Sequence, residues 1–263
     1  MTTLRHQALA VLLTRDPAGK CARALEVDPL RPAGADEAID EPPGIPGRPE
    51  RPVLVEHTAV PRRSVKSPEG RIALLHALAH IEFNAIDLAA DLCWRFAGQP
   101  EAFYADWVRV MREEAFHFRL LSERLAELGA AYGDLPAHNA LWAMAEKTRH
   151  DLLARLALVP RTLEARGLDA SPPIRAKLAG VGDQRGVEIL DIILRDEIGH
   201  VAIGNHWYRW LCDRRGLEPV ATYEGLALQY GAPRLRGPFN LEARRAAGFV
   251  EEELDRLQRM HDA

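Results

Sequence analysis

Two Glu-x-x-His tetrads occur in the sequence, one formed by Glu114 and His117 and the other by Glu197 and His200. On an α-helix, residues three apart share a face, so each tetrad can present a carboxylate and an imidazole to the same neighbour. One such match is expected about once by chance in a chain with this composition. Two matches carry weight only if further residues are arranged around them in the same way.

The first tetrad has such a companion, because Glu82 lies 32 residues before Glu114. In an antiparallel helical hairpin, residues equidistant from the turn lie at the same height. The midpoint of the two glutamates falls at Gly98, and Pro100 follows it. Glycine just past a helix end and proline at the start of the next helix are typical of a turn. The pattern predicts a hairpin with both carboxylates level.

The second tetrad repeats this arrangement, since Glu164 lies 33 residues before Glu197. The midpoint falls in residues 180–183, where two glycines are followed by Asp183, a good N-cap residue. Pro160 precedes Glu164 by four residues and is expected to kink its helix or open the hydrogen-bond ladder. The hairpin also requires residues 173–180 to continue as a short helical piece.

Apolar residues with a period near 3.6 predict four long helices. The glutamates and histidines of the two tetrads interrupt these apolar faces, and a carboxylate on a buried face needs a partner. Capping residues and breakers set the predicted bounds: Ser67 to about Ala97, Pro100 to Leu128 with Gly129 after it, the region after Pro136 to Arg166 with Gly167 after it, and Asp183 to Arg215.

Both ends of the chain extend beyond these helices. Residues 28–66 contain eight prolines, which excludes a regular helix and favours an extended strap. Past Gly216, a helix near 219–229 and a charged helix capped by Asn240 are expected. We therefore predict three segments: an N-terminal helix with the strap (1–66), a four-helix bundle (67–216) and a C-terminal helical extension (217–263) packed on the bundle.

Composition excludes several classes of protein. The chain has 263 residues, 47% of them hydrophobic, which is enough for one substantial core. A net charge of −4 with mixed signs argues against nucleic-acid or membrane binding. Three scattered cysteines, an odd number, argue against a disulfide framework and favour the cytoplasm.

The ligand pattern indicates a site for two metal ions. In helical bundles, one glutamate from each of two helices and a Glu-x-x-His from each of the other two can surround a pair of metals. Carboxylates with imidazoles suit iron above all, with manganese or a mixed iron and manganese pair as alternatives. Salt-bridged or solvated glutamates would be the structural alternative. The candidate metal ligands are Glu82, Glu114, His117, Glu164, Glu197 and His200.

Several stretches of the chain resemble the ferritin-like proteins that carry domain of unknown function 455, across about residues 65–215. They are 80–88, 113–118, 132–138, 151–169 and 196–204. The resemblance implies an all-α, ferritin-like, up-down four-helix bundle with a dinuclear centre at the six positions. It implies no substrate. The site is more distantly similar to those of bacterioferritin, rubrerythrin and the di-iron tRNA hydroxylases. In proteins of this class the glutamate of each tetrad bridges the metals, which assigns that catalytic role to Glu114 and Glu197.

Three functions are compatible with such a centre. The leading hypothesis is an oxidoreductase that uses dioxygen or peroxide to oxidise an unknown small organic substrate, with an unidentified electron donor. The strap and the C-terminal extension favour it, because a minimal storage bundle needs neither. The second is iron oxidation and storage or peroxide removal, for which assembly into a cage would be diagnostic, whereas a monomer or homodimer would count against it. The third is a structural or binding protein with a vestigial site.

Other polar and aromatic residues near these helices allow two interpretations each. Asp87 and Asp196 are candidates either to orient a ligand or to lie at the surface. His76 and His80, spaced four residues apart, could bind a metal ion, but no facing ligand is evident in the sequence, so they are expected to cap a helix or lie at the surface. Trp207 and Tyr208 follow His200 by two to three turns, where a redox-active aromatic is one interpretation and core packing the more common one.

Overall fold

The structure is a computed structural model that describes residues 2–56 and 64–262, with only the backbone of residues 260–262. Within those residues the chain is all-α, as the sequence predicts. The described part contains no β-strand beyond one parallel bridge between Leu54 and Ala137. That bridge ties the strap to the segment after the second long helix. Residues 57–63 of the predicted strap lie outside the described residues.

The helices follow the apolar periodicity for most of the chain. Their bounds are α1 Leu4–Leu13, α2 Pro17–Glu26, α3 Pro68–Arg95, α4 Glu101–Glu127, α5 Ala140–Lys147, α6 Leu152–Leu158, a π-helical segment Val159–Glu164, α7 Ala165–Gly180, α8 Gln184–Arg215, α9 Pro219–Gln229, α10 Leu241–Ala246 and α11 Glu251–Asp262.

The chain divides into two compact units, residues 1–142 and residues 143–263. In the first unit, α1 and α2 pack on the hairpin of α3 and α4. In the second unit, α7 and α8 form the main pair, and α6, the π-helical segment, α9 and α10 pack on α8. The three segments predicted from the sequence, with boundaries at 66 and 216, remain a prediction.

The hairpin of α3 and α4 forms where the sequence predicts it. The Ser67 hydroxyl accepts a hydrogen bond from the Gly70 amide at 3.1 Å, which caps the first turn of α3. Gly98 lies in the connection with φ of +71°, a conformation that residues with a β-carbon rarely adopt. Gly129, just past α4, has φ of +77°. The turn geometry thus comes from residues visible in the sequence.

Two buried basic residues fasten the N-terminal helices to this hairpin. Arg5 of α1 donates two hydrogen bonds to the Trp94 carbonyl, at 3.0 and 2.8 Å, and further bonds to the strap. Lys20 of α2 is fully buried and forms an ion pair with Asp87 of α3. Because both cations are satisfied inside the first unit, the short helices are fixed to α3 despite their length.

The prediction of one continuous third helix is wrong. The region contains α5, α6, the π-helical segment and α7. The Asp151 carboxylate accepts hydrogen bonds from the Leu153 and Ala154 amides, so a new helix starts there. The expected effect of Pro160 is confirmed, because the π-helical segment begins at the residue before it.

Gly167 does not end a helix, contrary to the prediction, because α7 continues through Pro172 and Pro173 to Gly180. Pro172 has no amide hydrogen to donate to the Leu168 carbonyl. The Asn240 side chain donates to that carbonyl instead, at 3.2 Å. A residue far along the chain therefore replaces a lost helical hydrogen bond. The helical piece over 173–180 that the second hairpin requires is present.

The fourth predicted long helix and the predicted helix after Asn240 are both present. Asp183 caps α8 by accepting a hydrogen bond from the Gly186 amide at 2.9 Å, and Gly216 ends it with φ of +62°. Asn240 caps α10, and α11 follows after a short turn. In the second unit, a core of apolar residues joins α7 and α8 to the C-terminal helices: Ala165, Leu168, Val201, Ala243, Ala247, Phe249, Leu254 and Leu257.

Helix α3 is long and apolar enough to cross a membrane by length and composition. However, 67% of its most apolar window is buried within the protein. Buried core helices also meet these two criteria, so one such helix is weak evidence for a membrane span. All three cysteines are free and buried, as the absence of a disulfide framework requires. The cytoplasmic location remains a prediction.

Candidate metal centre

Glu82 of α3 and the first tetrad of α4 meet inside the first unit. All three side chains are buried, and Glu114 and His117 have no exposed surface. The Nδ1 atom of His117 lies 3.4 Å from an Oε2 atom of Glu82 and 3.4 Å from an Oε2 atom of Glu114. The hairpin thus brings two carboxylates to one imidazole, as the spacing of the glutamates predicts.

These distances suit a shared cation better than direct hydrogen bonds. An N–H···O hydrogen bond usually spans about 2.7–3.2 Å. Ligand atoms about 2.1 Å from a common metal ion, at tetrahedral or octahedral angles, are separated by roughly 3 to 3.4 Å. The three side chains therefore have the donor chemistry and the spacing of a metal site.

The electrostatics of Glu82 agree with this interpretation. Burial raises the pKa of Glu82 well above its usual value, the neighbouring Glu114 raises it further, and His117 opposes the change. Two carboxylates placed together in a dry interior are costly unless a cation or a proton compensates them. The cluster is thus built at the expense of stability, as metal sites often are.

The second tetrad repeats the local geometry in the second unit. Glu197 and His200 lie one turn apart on α8, and both are buried. The His200 Nδ1 atom lies 3.6 Å from an Oε1 atom of Glu197. In each tetrad the carboxylate and the imidazole therefore lie close together, because residues three apart share a helix face.

Glu164 is the last residue of the π-helical segment and is half-buried. The wide turn that leads to it contains Pro160, which cannot donate a backbone hydrogen bond. The Thr162 hydroxyl donates to the Ala157 carbonyl at 2.8 Å and so satisfies one of the acceptors in this turn. Such π-helical turns are often found at functional sites.

In the first unit, Glu82, Glu114 and His117 belong to a buried group of residues that could hold a metal ion. Three of the six residues named from the sequence thus lie together in one unit. The full set of six ligands, and the bridging role of Glu114 and Glu197, remain predictions.

Asp87, a candidate to orient a ligand or to lie at the surface, is buried and forms an ion pair with Lys20. Burial raises the pKa of Asp87 to about 6, and Lys20 opposes this rise. Burial also lowers the pKa of Lys20, against the attraction of Asp87. The shifts of both partners indicate that desolvation outweighs their attraction. Nothing in the local sequence identifies Lys20 as a buried residue.

The prediction that His76 and His80 lie at the surface is wrong, because both are buried. The Gly133 amide donates to His76 Nε2 at 2.9 Å. His80 Nε2 lies 2.9 Å from the His138 carbonyl, which only accepts, so Nε2 carries the proton and Nδ1 accepts from the Tyr132 hydroxyl at 2.9 Å. These histidines hold the segment after α4 against α3.

Trp207 and Tyr208 are buried, which agrees with core packing. The Tyr208 hydroxyl donates to the Pro219 carbonyl at 2.6 Å, and its ring lies under the guanidinium of Arg161. Asp196 forms an ion pair with the neighbouring Arg195. Arg161 was not identified from the sequence. The only signal was its position directly after Pro160 and three residues before Glu164.

Comparisons with known proteins cover nearly the whole chain. The family described as "Protein of unknown function (DUF455)" matches residues 13–255. An uncharacterized protein of Haemophilus influenzae (strain ATCC 51907 / DSM 11121 / KW20 / Rd) is 46% identical over 269 residues, which cover 97% of this chain and 93% of that protein. No solved structure matches the chain.

Proposed function

This chain belongs to the DUF455 family, and we propose that it is a metal-dependent oxidoreductase with a dinuclear centre of the ferritin-like type. The observation that carries the proposal is the buried cluster of Glu82, Glu114 and His117, whose ligand atoms lie within 4.8 Å of one another. The two His117 distances of 3.4 Å fit a cation held between these side chains.

The second tetrad supports two metals in preference to one. Glu197 and His200 have the spacing and burial of Glu114 and His117, and Glu164 occupies the place in its hairpin that Glu82 occupies in the other. We propose that one metal is held mainly by Glu82 and His117, and the other by Glu164 and His200. Glu114 and Glu197 would then contribute carboxylates to both ions.

Iron fits this donor set best, with manganese or a mixed pair as the alternative. Four carboxylates and two imidazoles are hard to borderline ligands, and no thiolate accompanies them. The three cysteines, Cys21, Cys93 and Cys212, are buried free thiols, and burial raises the pKa of Cys93 to about 12. Zinc sites that depend on cysteine thiolates are therefore not favoured.

When bound, such a centre supplies redox-active metal that can activate dioxygen or peroxide. The side chains of this chain hold the ions, keep the carboxylates aimed at them and exclude bulk water, since Glu114, His117 and His200 have no exposed surface. We propose a small organic molecule as the substrate that is oxidised. The electron donor is an open part of the proposal, and a homodimer is compatible with it.

The test begins with metal analysis of the purified full chain. We expect roughly two ions of iron or manganese per chain. Anaerobic loading with Fe(II) followed by oxygen should then give a transient visible absorption that the metal-free protein lacks. Glu114→Ala and His200→Ala should each abolish this signal. Full metal occupancy in both variants would contradict the assignment.

Two further measurements separate the proposal from its rivals. A large cage-sized assembly in size-exclusion chromatography that takes up many iron ions would favour iron oxidation and storage. A chain that retains no iron or manganese under any loading condition would instead indicate a structural protein. Glu113→Gln is the matched control, because Glu113 precedes Glu114 and pairs with the exposed Arg109 at 3.0 Å.

A further inference from the structure

Arg161 lies inside the second unit, with 2% of its surface exposed, in the wide turn that leads to Glu164. Its Nε atom donates to the Asn205 side-chain oxygen at 2.7 Å. Its guanidinium carbon lies 4.7 Å from the ring centre of Tyr208, 4.9 Å from that of Tyr223 and 5.2 Å from that of Phe249. Three aromatic faces and an amide therefore fix its position.

Glu253 of α11 completes this arrangement. It is buried and forms an ion pair with Arg161. It also accepts hydrogen bonds from Arg209 at 3.2 Å and from the Val250 amide at 3.0 Å. Burial lowers the pKa of Arg161 to about 10, so Arg161 remains a cation at neutral pH and needs its carboxylate. The C-terminal helix thus contacts the π-helical segment through one buried ion pair.

The π-helical segment needs such support. Pro160 removes one backbone donor, and π-helical turns are rare in proteins. Contacts from outside the segment hold it: Gly204 packs against Pro160, and the Tyr223 hydroxyl lies 3.0 Å from the Thr162 hydroxyl. Arg161 contacts residues of α8, α9 and α11, so all three helices restrain this turn through its side chain.

We propose that Arg161 and Glu253 are positioning residues, which fix the π-helical turn so that Glu164 presents its carboxylate to a metal ion. The inference rests on the proposed function, because it takes Glu164 as a ligand. Glu164 lies three residues after Arg161, at the end of the same turn. Its side chain has three rotatable bonds, so a mobile backbone would spread the carboxylate over several positions. A fixed backbone lowers the entropy lost when a metal binds.

The consequence is that the C-terminal extension contributes to metal affinity. Groups that orient a ligand without touching the metal typically change affinity by about 10–100-fold when they are mutated. Loss of the Glu253 carboxylate should weaken binding of the metal ion that Glu164 coordinates. The affinity for the ion that Glu82 and His117 coordinate should change little. A residue that only stabilises the fold would weaken both sites together.

The test is calorimetric titration of the metal-free full chain with Mn(II), comparing the wild type with Glu253→Gln. We expect two binding events in the wild type. In the variant, one affinity should fall by about 10–100-fold and the other should stay within about 2-fold. Glu252→Gln is the matched control, since Glu252 is an exposed neighbour on α11 that pairs with Arg256 at 2.9 Å.

A second readout does not depend on metal. Hydrogen exchange of the backbone amides of residues 162–165 in the metal-free protein should be faster in Glu253→Gln than in Glu252→Gln. If Glu253→Gln fails to fold, Arg161→Lys is the alternative variant, because lysine retains the charge but not the planar contacts of the guanidinium. The same fall in affinity at one metal site only is expected.

The outcomes separate the two proposals. Two tight sites in the wild type and in Glu253→Gln would overturn the positioning role and leave the proposed function intact. Equal weakening of both sites, in step with a lower melting temperature, would also overturn it, since that is the result of general destabilisation. A wild-type chain that binds no metal would overturn the proposed function itself, and the positioning role with it.

Discussion

Gly204 of α8 faces Pro160 so closely that a β-carbon at position 204 would lie 2.7 Å from the Pro160 Cβ atom. Real β-carbons essentially never come this close to another heavy atom, and the proline ring is rigid. The glycine therefore allows α8 to approach the turn that carries Glu164. Its backbone has no positive φ, so close packing is the requirement here.

We expect Gly204→Ala to destabilise the protein by about 1–3 kcal/mol, because the added methyl group must displace the proline ring or α8. Urea denaturation measures this directly. Gly225→Ala is the control: Gly225 lies within α9 with no atom near its missing β-carbon, and alanine there should stabilise by up to about 1 kcal/mol. Equal stability of Gly204→Ala and the wild type would show that the contact can relax freely.

Glu82→Gln should separate metal binding from folding. Burial and Glu114 raise the pKa of Glu82, so a neutral amide of the same shape removes an unfavourable carboxylate from the metal-free protein. We expect stability in the presence of a chelator to be unchanged or higher. Metal at 100 times its dissociation constant should stabilise the wild type by about 2.7 kcal/mol, and the variant should lose that gain.

The measurement is thermal unfolding with chelator and with Mn(II), in parallel. Glu113→Gln should behave as the wild type under both conditions, since its carboxylate pairs with Arg109 outside the cluster. If Glu82→Gln kept the full metal-induced stabilisation, Glu82 would not be a ligand.

The sequence predicts the buried cluster of Glu82, Glu114 and His117 well because its signal is local. The spacing of Glu82 and Glu114 about a turn at Gly98 sets their heights in the hairpin, and the Glu-x-x-His pattern sets which face His117 shares. Both relations follow from helix geometry, and the structure brings these three side chains together. The confirmed caps at Ser67 and Asp183 are local for the same reason.

The sequence fails where distant residues compensate for a local breaker. Pro172 should end a helix, but the Asn240 side chain supplies a hydrogen bond to the Leu168 carbonyl, so α7 continues. His76 and His80 look like surface residues, but backbone groups after α4 and Tyr132 satisfy them inside the fold. Such partners are separated by dozens of residues, and no periodicity reveals them.

The buried pair of Lys20 and Asp87 gives a test by single and double substitution. Asp87→Leu leaves the Lys20 ammonium buried without its carboxylate, and we expect a loss of about 3–5 kcal/mol. The double variant Lys20→Met with Asp87→Leu removes both desolvation penalties and should be as stable as the wild type, or more stable by about 1–4 kcal/mol. Urea denaturation at pH 7 compares the three proteins.

The control for this pair is Asp191→Ala. Asp191 pairs with Arg175 at 2.5 Å, but both side chains are exposed, so the loss should stay below about 1 kcal/mol. A double variant at Lys20 and Asp87 that is as unstable as Asp87→Leu alone would show that the pair contributes through its geometry and not only through its charges.

His76 should make stability depend on pH. Burial lowers the pKa of His76 below its usual value of 6.5, although Asp134 opposes this, and nearby His80 is kept neutral by burial, which lowers its pKa to about 4. A group whose pKa is lower in the folded state contributes stability that is present above its unfolded pKa and is lost as pH falls through the folded value. Protonation would also leave His76 Nε2 unable to accept the Gly133 amide hydrogen.

We therefore expect His76→Gln to have a shallower loss of stability than the wild type as pH falls from 7 to 5, because glutamine does not titrate and its side-chain oxygen can accept the same hydrogen bond. Urea denaturation at several pH values gives the two curves, with chelator present so that metal binding does not contribute. His150→Gln, at an exposed position, should follow the wild type. Parallel curves for wild type and His76→Gln would mean that His76 keeps the same pKa in the folded and unfolded chain.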